Sequence, residues 1–302
     1  MNIVSRKYIA EPRYGSDYSL IRKFLLSENS INYSFGRWDW MISHSYLNQE
    51  ELSKIGLWFH NEDLVGIATF DTMIDGNCFF VLKKDFEFLY KKMIIHAEND
   101  LSNNGKTRLL IDDCNAYFQK VALEMGYIPT QSKDYDAIFD ITSDSVKYWL
   151  PEGFTVTSMK DTYDLYQYGR VLWKGFNHEL NGEGEYQPTD EKIEIFRKEF
   201  ERPNVNLELK VAVVASDGSF VSYCGMWQDS ETKNVLVEPV ATDPAYRKMG
   251  LGRAAVLEAI RRCSLLGAEK ALVGSSQQFY YNIGFRPYKT STFWEKSEKS
   301  SM

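Results

Sequence analysis

The chain repeats its own pattern, and this constrains the fold more than any other feature. Two apolar runs joined by a tight polar turn occur twice. In the first half they are residues 55–60 and 64–70 around Asn61, Glu62 and Asp63; in the second, 209–215 and 220–227 around Ser216, Asp217, Gly218 and Ser219. Val65 and Val221, at matching places in these hairpins, lie 156 positions apart. Gly126 and Gly284, each closing a short helical run and followed by an aromatic residue, lie 158 apart. Two landmarks at nearly one offset point to an internal duplication. Each half is expected to build its own mixed sheet with helices, an α/β (α+β) architecture. The break is expected near 142–153, where polar residues and Pro151 interrupt the pattern, giving domains over 1–145 and 151–302.

The second half reads as a strand at 154–159, helices at about 161–175 and up to 201, the hairpin, a strand at 234–242 and a helix at 251–266 stopped by Gly267. A strand at 270–274, a short helix at 276–283 and a last strand at 285–295 complete it. In the first half, 78–83 takes the place of the 234–242 strand. A helix at 86–99, a strand at 108–112, a helix at 116–124 and a last strand opened by Gly126 and Tyr127 follow.

The chemistry concentrates between the 234–242 strand and the next helix. Arg247-Lys248-Met249-Gly250-Leu251-Gly252 fits the pattern Arg/Gln-x-x-Gly-x-Gly/Ala. Glycines let a backbone turn sharply and approach a phosphate with no Cβ in the way. A helix opening at such a loop offers unpaired N–H groups with the positive end of its dipole behind them, so the junction is a cradle for a pyrophosphate. Arg247 and Arg253 are the side chains expected to assist; Arg261 and Arg262 read as a solvated helix face.

With Phe279-Tyr280-Tyr281-Asn282-Ile283-Gly284-Phe285 downstream, this segment resembles the GNAT superfamily of N-acetyltransferases, and the whole chain resembles its tandem members. The resemblance is specific over about 209–289 and one of pattern only before that. It implies two tandem GNAT-like acyl-CoA N-acyltransferase folds, with acetyl-CoA as co-substrate wedged between two central strands. It further implies that backbone groups of Pro239, Val240 and Ala241 pair with pantetheine. Amides of Met249, Gly250, Leu251, Gly252, Arg253 and Ala254 would hold the pyrophosphate, with Arg247 and Lys248 beside them. Tyr280 takes the place of the tyrosine that protonates the departing thiolate, a step that needs a donor near the sulfur. Glu238, the one acid in the 234–242 strand, is the expected base for the acceptor amine, directly or through a water; structural acceptor and ammonium ligand are its other readings. The resemblance also makes Phe176, Asn177 and His178 candidate acceptor contacts, although a histidine after a helix is often only a cap.

The first half departs from this pattern. No glycine lies between Phe80 and Tyr90, and Ala122 stands where Tyr280 does. It reads as a degenerate copy without a cofactor loop. Its Trp38, Trp40 and His44 are either core or the lining of an acceptor cleft.

Formal net charge is −7, which argues against nucleic-acid binding, since phosphate neutralisation needs surplus Lys and Arg. The same charge disfavours a third reading, an aminoacyl-transfer enzyme that must hold tRNA. Cys78, Cys114, Cys224 and Cys263 show no Cys-x-x-Cys spacing and read as buried thiols; the four histidines show no zinc pattern, so no metal is expected. No signal peptide or membrane span is expected, which suggests a cytoplasmic monomer or homodimer. The expected activity is acyl transfer from CoA to the primary amine of a small acceptor in a ternary complex. The alternative is an acyl-CoA sensor without turnover.

Overall fold

The computed structural model describes residues 2–11, 14–29 and 33–296. They form two compact units: one of the residues up to Asp136 together with those from Tyr288 on, the other of Ala137–Pro287. The division thus falls before the expected 142–153 break, and the chain's last strand leaves the second unit for the first. The strands that cross between units are long ones, and the polar run 130–136 that precedes the division lies inside one of them.

In the first unit the chain runs β1 (Ile3–Lys7), α1 (Ser16–Glu28), α2 (Phe35–Ser43), β2 (Gly56–His60), β3 (Asp63–Thr69) and β4 (Asn77–Leu82). Then come α3 (Tyr90–His96), β5 (Arg108–Asp112), α4 (Ala116–Glu124) and β6 (Tyr127–Asp140). The second unit takes up the end of β6 and continues with β7 (Thr155–Ser158), α5 (Leu165–Gly175), α6 (Asp190–Phe200), β8 (Lys210–Val214), β9 (Phe220–Trp227) and β10 (Asn234–Thr242). It closes with α7 (Leu251–Leu265), β11 (Lys270–Val273), α8 (Gln278–Ile283) and the start of β12 (Arg286–Lys296).

The two units share one topology. Strands β1 to β4 pair antiparallel in order, as do β7 to β10. The fourth strand of each then pairs parallel with the fifth, β4 with β5 and β10 with β11. The flank of the fifth strand is exchanged. Residues 291–295 of β12 pair antiparallel with β5, and residues 137–140 of β6 pair antiparallel with β11. Two helices follow β1 in the first unit and two follow β7 in the second.

In the second unit β9 is buried along its whole length, which fits a central strand covered on both faces. Val221 and Met226 pack with Ala255, Val256 and Ile260 of α7, whereas Phe220 and Tyr223 pack with Tyr168 and Val171 of α5 and Phe196 of α6. Helix α7 begins at Gly250 (φ 83°) and is followed by Gly267 (φ 96°), the left-handed positions that glycine takes without strain. Glu258, buried in α7, accepts from Arg261 and Arg262 and from the Tyr148 hydroxyl, so these arginines are tied to the helix rather than simply solvated.

In the first unit α1 and α2 lie in a segment where the sequence offered only the tryptophan patch. Trp38 is core, against Tyr8 and Tyr18; Trp40 and His44 are half-buried. Cys114 is exposed in the turn before α4, against the expectation of four buried thiols; the other three are buried. No helix among the described residues is long and apolar enough to cross a membrane.

Candidate active site

The second unit's cleft is built on an irregularity of β10. Val237 pairs with Met226 and Val240 with Cys224, so Glu238 and Pro239 bulge opposite the single residue Gly225. Proline suits a bulge because it has no N–H to give to the ladder, and Pro239 can offer a ligand only its carbonyl. The Trp227 indole N–H donates to the Glu238 carbonyl at 2.9 Å and holds the bulge. Pairing of β10 with β11 covers only Asn234, Val235 and Leu236. Beyond that point β10 and β11 part.

A cleft of about 750 Å³ occupies this region. Val240, Ala241 and Thr242 of β10 form one side, and Gly175, Phe176 and Asn177 at the end of α5 form another. Tyr246, Arg247, Lys248, Gly250, Leu251, Gly252 and Arg253 close one end, and Gln277, Phe279, Tyr280, Asn282 and Ile283 the remaining side. Gly175 is there because α5 comes hard against β10: a Cβ on it would lie 2.6 Å from the Ala241 Cβ.

The loop after β10 is pinned from below. Asp243 is buried; one carboxylate oxygen accepts from the Ala245 N–H at 3.0 Å and the other stands 3.7 Å from Arg170 of α5. Lys248 (φ 66°) and Gly250 both take left-handed backbone, so the chain turns sharply on either side of Met249. The Ala254 N–H donates to the Gly250 carbonyl at 3.0 Å, the first α7 turn. The amides of Leu251, Gly252 and Arg253 precede that bond, where helix N–H groups have no partner within the helix. Around Gly250 there is open space: a Cβ there would meet nothing within 4 Å. Gly252 is crowded, with Thr242 Oγ1 2.9 Å from the place of a Cβ. Exposed Lys248 and Arg253 border this opening, so the residues present fit a pyrophosphate group.

Tyr280 is buried, edge-on to Phe279 and Phe285 at centroid separations of 5.0 and 5.5 Å. Burial, with smaller contributions from the Cys224 thiol and the Glu238 carboxylate, holds its phenol well above the ordinary tyrosine range. Its proton therefore stays on at neutral pH, as a donor requires. Glu238 is half-buried and within electrostatic reach of Tyr280.

Of the residues singled out in the sequence, Val240, Ala241, Arg247, Lys248, Gly250, Leu251, Gly252, Arg253, Tyr280, Phe176 and Asn177 line the cleft together. Glu238, Pro239, Met249, Ala254 and His178 are not among its lining residues. The Ala254 amide is already engaged in the helix, which removes it from the cradle. His178 stacks on Trp173 at 4.2 Å, and its Nδ1 meets the Glu183 carboxylate at 2.9 Å. Sequence reasoning passed over Gly175, Thr242, Tyr246, Gln277, Phe279 and Asn282. Phe279 and Asn282 flank Tyr280 on a short helix and could have been found from that spacing; Gly175 could not, because only its approach to β10 gives it a role.

Residues 173–285 match the acetyltransferase (GNAT) family model. The chain carries a GNAT domain. No curated protein sequence matches the chain. Solved structures of similar fold include a tandem GNAT protein from the clavulanic acid biosynthesis pathway (10% identity, 99% of this chain and 100% of that one, TM-score 0.58). Another is a GCN5-related N-acetyltransferase from Sphaerobacter thermophilus (12% identity, 97% and 95%, TM-score 0.57). A third is a GNAT-family acetyltransferase from Colwellia psychrerythraea (12% identity, 98% and 100%, TM-score 0.57). At such identities the likeness is one of fold. It extends over both halves of the chain, whereas the family match covers the GNAT domain alone. Among the described residues no group of His, Cys, Asp or Glu is arranged to hold a metal ion.

Proposed function

We propose that the GNAT domain is an acetyl-CoA-dependent N-acyltransferase, moving a short acyl group to the primary amine of a small acceptor by direct attack. The observation that carries this reading is the meeting, in one cleft, of the Gly250 cradle, the parted end of β10 and the protonated Tyr280. Acetyl-CoA, when bound, supplies an acyl group activated as a thioester. The amides of Leu251, Gly252 and Arg253 hold the pyrophosphate, with Lys248 and Arg253 adding positive charge. Tyr280 donates its proton where the sulfur departs. Glu238 receives the acceptor's proton, through a water because its side chain stands outside the cleft lining.

We read the first unit as a copy without this site. Its β4 and β5 pair at Asn77 and Cys78, as β10 and β11 do, but aromatic rings lie alongside. Tyr90 stacks on Phe118 at 4.0 Å, and Phe118 meets Phe80 edge-on at 5.3 Å. Calorimetric titration of acetyl-CoA into the full chain tests both statements. One site per chain, removed by Gly250→Glu, is expected. Two sites would overturn the reading of the first unit, and no binding would remove the basis of the whole proposal.

A further inference from the structure

Arg247 opens the cradle loop, and its guanidinium is engaged by acceptors on both sides of the cleft wall. Helix α5 ends at Gly175, and its last carbonyls need donors. Phe176 N–H donates to Leu172, Asn177 N–H to Lys174 and His178 N–H to Trp173, at 2.9, 2.9 and 3.1 Å. The Gly175 carbonyl receives Arg247 Nη2 at 2.8 Å. The same nitrogen donates to Asn177 Oδ1 at 2.7 Å, and Nε donates to the Thr242 carbonyl at 3.2 Å. One rigid, planar cation thus joins the end of a helix, the first residues beyond it and the end of β10. A guanidinium suits this task because its donors are fixed in a fork, and a cation at a helix C-terminus is favoured by the helix dipole.

The consequences run along the loop. Asn177 holds a left-handed backbone (φ 68°), and its carbonyl accepts from the Asn181 N–H at 2.8 Å. The Glu183 N–H returns to the His178 carbonyl at 3.0 Å, and the Trp173 indole donates to the Gly184 carbonyl at 3.1 Å. Fixing Asn177 therefore fixes the first turn of the whole 176–184 loop, which carries the Phe176 and Asn177 wall of the cleft.

We propose that Arg247 is a positioning residue: its side chain fastens the 176–184 loop to the end of β10 and so sets one wall of the cleft, rather than contacting the pyrophosphate. The use of that wall by an acceptor rests on the function proposed above; the tie itself does not. The test is amide hydrogen exchange of the full chain, with and without coenzyme A, beside calorimetry with the same ligand. Arg247→Lys keeps the charge and loses the fork, and is expected to speed exchange at Asn181 and Glu183 about tenfold or more. Its affinity for coenzyme A should change less than about threefold. Asn177→Ala, which removes one acceptor and leaves Arg247 intact, should give the same exchange pattern more weakly; it also serves if Arg247→Lys folds poorly. With turnover in hand, KM for the amine should rise while KM for acetyl-CoA holds. Unchanged loop exchange in both variants overturns the proposal, as does a tenfold loss of coenzyme A affinity with the loop undisturbed. If the wild-type chain binds no coenzyme A, the proposed function fails, and the exchange comparison still decides the tie.

Discussion

Gly225 on β9 and Glu238 on β10 approach so closely that a methyl group on Gly225 would stand 2.6 Å from the Glu238 carbonyl oxygen. The same methyl would touch Pro239 Cδ at 3.0 Å. The bulge that shapes the cleft thus depends on a missing side chain one strand away. Gly225→Ala is expected to cost about 1–3 kcal/mol of stability through overpacking. It should also weaken coenzyme A binding, because relief of the clash displaces the bulge. Thermal unfolding with calorimetric titration checks both, and unchanged affinity in a folded variant would count against the bulge as a determinant of the site.

Tyr280→Phe separates chemistry from binding. The phenol contributes a proton and the ring contributes packing, and phenylalanine keeps only the second. If Tyr280 is the acid, kcat should fall by about a hundredfold or more while coenzyme A affinity stays within a few-fold. A chain that senses acyl-CoA without turnover would show no such loss.

Gly250 offers a graded test of the cradle. Open space surrounds it, so the cost of Gly250→Ala comes from its left-handed backbone, about 1–2 kcal/mol of stability. Gly250→Glu adds a negative charge beside the phosphate position. Coenzyme A affinity should fall far more for the glutamate than for the alanine variant, and the gap should narrow as salt is raised. Equal losses would point to backbone strain alone.

Glu258 predicts an acid-sensitive step. Burial opposes its ionisation, but hydrogen bonds from Arg261 and Arg262 outweigh it and hold the carboxyl below the ordinary glutamate range. Its folded-state pKa is lowered, so the stability it contributes is present above the unfolded value and lost as pH falls through the folded one. Glu258→Gln should therefore be less stable than the parent at neutral pH, and the gap should shrink only as pH falls below the unfolded glutamate value of about 4.3. Chemical denaturation across pH 3–7 reads this directly.

Buried tyrosines predict the opposite limb. Burial raises Tyr8, Tyr33, Tyr127, Tyr168, Tyr223 and Tyr280 above the free phenol. A raised folded pKa contributes stability below the unfolded value and loses it above. Absorbance titration at rising pH should show the buried group ionising only as the chain unfolds; a single smooth transition would refute this.

What the sequence determined by itself is what depends on neighbours along the chain. The strand, glycine loop and helix around Gly250, the hairpins around Asn61 and Asp217, and the Gly284 turn before β12 all follow from local backbone preference and apolar period. From the hairpins onward, the duplicated element order could be read from the same signals. The tertiary structure alone decided three things. Residues 291–295 of β12 pair with β5 and not with β11, because an apolar strand carries no label for its partner and ladder bonds form between groups distant in sequence. Gly175 and Gly225 gained their roles from strands and helices that press against them, which no local pattern announces. Arg247 reads as a phosphate ligand from its place in the loop, but only the fold shows that the end of α5 and the end of β10 bring carbonyl oxygens within reach of its guanidinium.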